Sequence, residues 1–149
     1  MHQPLAEKCD RIQRALAEAR SCDVAEERLS RVLDLIQRTL IEFHNDWSAL
    51  CREENGDAWV TAADECFDCY SHQLYDMAWY VQDILAEDLV WHLRTLSAEM
   101  IKTVNICHML RCEDTFRERG SRMAREARHS ADLFVIRCTT VRRRVIPAR

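Results

Sequence analysis

The chain has 149 residues, 48% hydrophobic and 31% charged, with a formal net charge of −4. That balance excludes a disordered chain, and the length suits a single domain, 1–149, that buries its own core. Two glycines and two prolines are too few for the closely spaced turns of a β-rich fold, so the composition points to a few long helices. No stretch approaches the roughly 18 apolar residues of a membrane span. The opening MHQPLAEKCDR lacks the apolar run of a signal peptide. The expected location is cytoplasmic, with thiols reduced by default.

The first predicted element is a short helix carrying Leu5, Cys9, Ile12, Leu16 and Ala19 at helical spacing. It stops at Ser21-Cys22-Asp23, where Asp23 and Glu26 form a capping-box pattern for the next helix. That second helix reads through Leu29, Leu33, Ile36, Leu40, Phe43, Trp47 and Leu50, alternating by four and three. Asn55-Gly56 suits a left-handed helix end, with Asp57 or Thr61 capping the third helix. Residues 57–119 contain no Gly or Pro. One helix of that length would run about 90 Å, so a turn near Glu87-Asp88 is expected to divide it, with a break near Ser97 or an unbroken helix as the alternatives. The third helix then presents Ala63, Phe67, Tyr70, Leu74, Met77, Val81 and Ile84, and the fourth Leu89, Leu93, Leu96, Met100, Val104 and Cys107. Gly120-Ser121 is read as the next break. The last helix offers Met123, Ala127, Ala131, Phe134, Cys138, Val141 and Val145. A 3-4 alternation keeps one seam facing its neighbours at a shallow crossing, and short connections make neighbours antiparallel. The expected fold is all-α: an up-and-down antiparallel bundle of four long helices plus a shorter N-terminal one.

Candidate chemistry centres on DECFDCYSHQLYD, residues 64–76, where Cys66, Cys69 and His72 stand three apart. If the chain reverses near Asp88, residue n faces roughly residue 176 minus n, which brings Cys69 level with Cys107 and places His108 and Cys112 at similar height. Zinc takes thiolate and imidazole ligands tetrahedrally, so Cys66, Cys69, His72, His108 and Cys112 are candidate zinc ligands across two helices. An inter-helix disulfide is the second reading. The bland one is a core edge with unliganded thiols, since cysteine packs well as a small apolar residue. The eight cysteines match no named disulfide or zinc spacing.

Other histidines carry weaker patterns. A di-iron bundle needs paired Glu-x-x-His motifs, and only Glu126 to His129 occurs. Arg38 to His44 and Arg122 to His129 resemble the short active motif of HEPN-type helical ribonucleases, although Thr39 or Met123 stands where that motif has its usual polar residue. The resemblance implies RNA as substrate, with Arg and His handling the phosphate and proton.

Aromatic residues on the wrong face stand out more clearly. Tyr75 and Trp79 lie roughly opposite the third helix's seam, and Trp91, Ile106 and Met109 point away from the fourth's. A helix apolar on two faces must bury the second as well. Either the N-terminal helix covers it, or it is an oligomer or partner surface. Charge adds a second asymmetry. Residues 1–110 hold 10 Lys/Arg against 20 Asp/Glu, a net of −10, and residues 111–149 hold 11 against 5, a net of +6. A basic tail begins at about residue 142 with Arg142, Arg143 and Arg144. The bland reading is a solvated helix end; as a contact it suits an acidic protein surface, the chain's own included, ahead of nucleic acid or anionic lipid. The expected function is non-enzymatic: an adaptor, regulator or self-assembling module acting through protein–protein contacts. A zinc-binding or redox-responsive protein and an RNA binder or ribonuclease are the alternatives.

Overall fold

The computed structural model describes residues 5–53, 56–83 and 85–145, with the side chains of Asp57 and of residues 139–145 outside the described set. Among the described residues five helices follow in chain order: α1 (Leu5–Arg20), α2 (Ala25–Arg52), α3 (Asp57–Val81), α4 (Glu87–Leu110) and α5 (Glu113–Val145). Helices α2 to α5 close a ring, α2 on α3, α3 on α4, α4 on α5 and α5 on α2, while α1 lies outside on α2 and α3. The all-α bundle of four long helices and a shorter first one is therefore what the chain forms.

The seams read from the sequence make the core. Leu33, Ile36, Leu40 and Phe43 of α2 are fully buried, as are Phe67, Tyr70, Leu74 and Val81 of α3 and Leu89, Leu93 and Met100 of α4. Thr103 takes the core position beside half-buried Val104, turning its hydroxyl back to the Glu99 carbonyl at 2.7 Å. Such a back-bond satisfies a buried hydroxyl within its own helix. Val141 and Val145 have side chains outside the described set, and Ile84 lies outside it altogether.

Helix ends depart from the sequence reading in three places. The Asp23–Glu26 capping box does not form: Val24 is the N-cap of α2, without a side-chain cap hydrogen bond. Gly56 uses its positive φ of 147° to start α3 and not to end α2, which closes at Glu53; Asn55 lies outside the described residues. The third departure is the largest. Gly120 breaks nothing, and α5 runs through it. The chain turns instead at Arg111, a left-handed residue at φ 49° and ψ 42° whose N–H reaches the Cys107 carbonyl at 2.7 Å. Glu113 and Asp114 then sit in the first turn of α5, where the positive end of the helix dipole favours acids. Gly120 is needed for a different reason. A Cβ placed there would lie 1.9 Å from the Trp47 indole, so the missing side chain is the space Trp47 fills.

The turn near Glu87 is as expected, although it contains neither Gly nor Pro. Leu85 is buried, its N–H bonded to the Val81 carbonyl at 3.0 Å, and α4 begins with Glu87 and Asp88. An apolar anchor and an acidic first turn replace the usual turn residues.

Candidate functional site

The outer face of the α3–α4 hairpin carries the exposed aromatics. Trp79 is 52% exposed, Trp91 61% and Tyr75 46%. Tyr75 and Trp79 are one turn apart on α3 and meet edge to face at 6.5 Å between centroids. Arg94 of α4 lies over the Trp79 ring at 5.0 Å and anchors itself by donating from Nη2 to Gln82 Oε1 at 2.6 Å. Its planar cation on an indole face ties the two helices together at the surface. Beside it a depression of about 380 Å³ is lined by Gln82, Asp83, Glu87, Val90, Trp91 and Arg94. Asp76, Asp83, Glu87 and Asp88 are exposed around this face, Asp88 paired with Arg137 of α5 at 3.3 Å, so its rim is mainly acidic. Met109 is exposed at the far end of α4, whereas Ile106 is half-buried.

The N-terminal helix does not cover these aromatics. It lies on the other side of α3, where Arg20 stacks over Tyr80 at 5.4 Å and Cys9 is disulfide-bonded to Cys69, with 5.8 Å between Cα atoms. Its ion pairs are with α2, Lys8 to Asp46 at 2.8 Å and Arg11 to Glu42 at 2.6 Å. Asp46 also accepts from the buried Tyr70 hydroxyl. Burial, and then that hydrogen bond to an anion, push the Tyr70 phenol far above its ordinary range.

The five zinc candidates are not brought together. The hairpin closes in a tighter register than 176 minus n: Ser97 donates to the carbonyl of Ser71 at 2.7 Å, where that rule would put residue 79. Cys107 and His108 accordingly line a cavity with Val60 and Thr61, about two turns from Cys69. Cys69 is consumed by the disulfide, so the default of reduced thiols fails for Cys9 and Cys69. The pair also joins α1 to α3, whereas the sequence reading places a bridge between α3 and α4. Cys66 is a buried thiol whose pKa is driven well up by desolvation, with the Asp46 charge adding to it. His72 is exposed beside Asp68 at 3.3 Å. His108 is exposed and pairs with Asp64 at 2.8 Å, and the Cys112 sulfur sits 2.8 Å from the Thr115 hydroxyl. Among the described residues no group of three or more His, Cys, Asp or Glu converges on a metal position.

Nor do the Arg–His segments form an active pair. His44 donates from Nδ1 to the Ala124 carbonyl at 3.1 Å, facing α5, while Arg38 borders a small cavity beneath α1 with Arg11 and Ile12. Six residues separate them, about 120° around α2. Arg122 and His129 are exposed on one face of α5, roughly 10 Å apart. The side chains of Arg142, Arg143 and Arg144 lie outside the described residues.

Sequence reasoning missed Arg94 and the pairing of Cys9. Arg94 is three residues after Trp91, a spacing that sets both on neighbouring faces, but its partner Trp79 lies on another helix. Comparison with known proteins finds no matching family model, no matching curated protein and no matching solved structure. Among the described residues no helix is long and apolar enough to cross a membrane.

Proposed function

We propose that the protein works by protein–protein association through the outer face of its α3–α4 hairpin, and that the occupant is a second copy of the chain. The observation that carries this reading is the group of exposed aromatics, Tyr75, Trp79 and Trp91, on the outer face of the hairpin. Aromatic side chains with an arginine among them have the composition of interface anchors. The choice of occupant rests on charge. Asp76, Asp83 and Glu87 rim the aromatics, while Asp88 already pairs with Arg137 of α5 at 3.3 Å, and the chain supplies the complement itself, eleven arginines against five acids in residues 111–149. Opposite patches on one molecule steer copies together and fix their register, and salt weakens them.

A charge-swap experiment tests the occupant. Reversing the rim in one variant (Asp83→Arg with Glu87→Arg) and the tail in another (Arg142→Glu, Arg143→Glu, Arg144→Glu) is expected to lower the solution mass of each toward a monomer. Mixing the rim variant with wild type should leave one complementary contact and restore part of the mass. Unaltered mass in both variants, or a wild-type monomer at every concentration, contradicts self-association.

A further inference from the structure

The four helices α2 to α5 close their ring without α1, which is an added layer on α2 and α3. Only Ile12, Leu16 and Ala19 of α1 are buried. Helices of about this length owe most of their stability to the surface they pack on. The seat is also hollow on both flanks. A space of about 270 Å³ opens between Leu5, Lys8, Asp46, Leu50 and Cys66, and one of about 110 Å³ lies where Ile12 and Ala15 face Leu35 and Thr39. The Arg11–Glu42 ion pair is partly exposed and so screened and weak, and Lys8–Asp46 is the one more sheltered pair beside it. The covalent bond from Cys9 to Cys69 is the strong tie.

We propose that this disulfide is a redox latch: closed, it holds α1 over the groove between α2 and α3, and its reduction by a thiol or dithiol lets α1 undock while α2 to α5 stay folded. The chemistry balances as ordinary exchange. A reductant thiolate attacks the sulfur of half-buried Cys9, forms a mixed disulfide and releases Cys69 as thiolate, which takes up a proton. A second reductant thiolate attacks the reductant sulfur of that mixed disulfide, releases Cys9 and leaves the reductant as its own disulfide. Two electrons pass to the protein, and both cysteines end as thiols.

Cys66 explains why the latch answers to an outside thiol. It precedes Cys69 by one turn on α3 and could attack the Cys69 sulfur, moving the bridge to a Cys66–Cys69 pair that frees α1 with no reductant at all. Attack requires a thiolate. Cys66 is 1% exposed, and its burial and the Asp46 carboxylate hold it protonated. On opening, Asp46 loses Lys8 but keeps the Tyr70 hydroxyl.

Hydrogen exchange followed by peptide mass analysis tests this on the full chain in three states: oxidised wild type, wild type reduced with a dithiol, and Cys9→Ser. Amides of residues 5–20 are expected to exchange about tenfold faster or more in the second and third states, with those of 29–47 and 63–81 unchanged. Equal protection of 5–20 in all three states reduces the bond to a passive staple and overturns the latch. So does loss of protection in 29–47 and 63–81 together with 5–20, because α1 would then be part of one cooperative core. Eight reactive thiols in protein purified without reductant would mean that the bond does not form. The reduced wild type answers the question even if Cys9→Ser folds poorly.

Discussion

Two tryptophans stand in each of two aromatic clusters of the described residues, and the clusters are put to opposite ends. At the Arg111 end, Trp47 and Phe116 pack against each other and against both Trp59 and Phe67 with centroids 4.7–6.2 Å apart, and all four are almost fully buried. At the Leu85 end, Tyr75, Trp79 and Trp91 make one contact among themselves and face outward. What separates them is the neighbour each helix face is given. The first cluster lies where α5 crosses α2 with Gly120 under the Trp47 ring. The second lies on the outer side of α3 and α4, where α5 contributes the Arg137–Asp88 ion pair at 3.3 Å but leaves the rings exposed. Aromatic content alone therefore says nothing about core or interface. The angular position on the helix decides it.

The comparison is broken most severely by emptying the buried cluster. Trp47→Ala should cost about 3–5 kcal/mol, by lost burial and the cavity left behind, in chemical denaturation. A loss below about 1 kcal/mol would place Trp47 outside the core. Next in size is the disulfide. Closing a loop across a sequence separation of 60 is worth about 4 kcal/mol on chain-entropy grounds. Under the latch that cost of Cys9→Ser appears in local opening of α1, and the midpoint for α2 to α5 and both aromatic clusters stays in place.

Gly120→Ala sharpens the contrast through its sign. Helix propensity predicts a gain of about 1 kcal/mol for Gly to Ala inside a helix. The new methyl would meet Trp47 atoms at 1.9, 2.3 and 2.6 Å, so overpacking should instead cost about 1–3 kcal/mol. A more stable variant refutes the role given to this glycine. Smaller again is the effect of pH. Cys66 and Tyr70 have pKa values raised in the fold above the ordinary 9.0 and 10.0. The unfolded chain therefore ionises first. The stability they contribute is full below about pH 9 and falls above it, by up to about 1.4 kcal/mol per pH unit for each group. Cys66→Ala should remove the thiol's share of that slope and leave the remainder to Tyr70.

Much of the fold is legible in the sequence because helical periodicity reports which residues share a face. The seams from Leu29 to Trp47 and from Ala63 to Val81 are buried throughout, and the same angles put Tyr75, Trp79, Trp91 and His72 outside. What periodicity lacks is the identity of the facing element. Gly120 looks like a stop signal until Trp47, 73 residues earlier in the chain, is seen lying on it. Arg111 makes the real turn with no Gly to mark it. The register of α3 against α4 depends on how many residues the Leu85 turn consumes, and that error alone moves Cys107 from residue 61 to residue 69 and creates an apparent zinc site. Cys69 stands outside the seam by its spacing, yet it is buried because α1 lies over it. No local pattern announces where a short N-terminal helix will dock.

The smallest expected effect on folding is also the most direct test of the central claim. Trp79→Ala with Trp91→Ala, compared with wild type by sedimentation velocity and by a thermal melt of the same samples, separates core from interface. Assembled mass should fall by the equivalent of about 2 kcal/mol or more of association free energy. The melt at concentrations where both proteins are monomeric should stay within about 1 kcal/mol of wild type, as expected for exposed positions. An unchanged mass together with a loss of stability comparable to Trp47→Ala would contradict the central claim, because the outer aromatics would then be core residues and the face between them no interface.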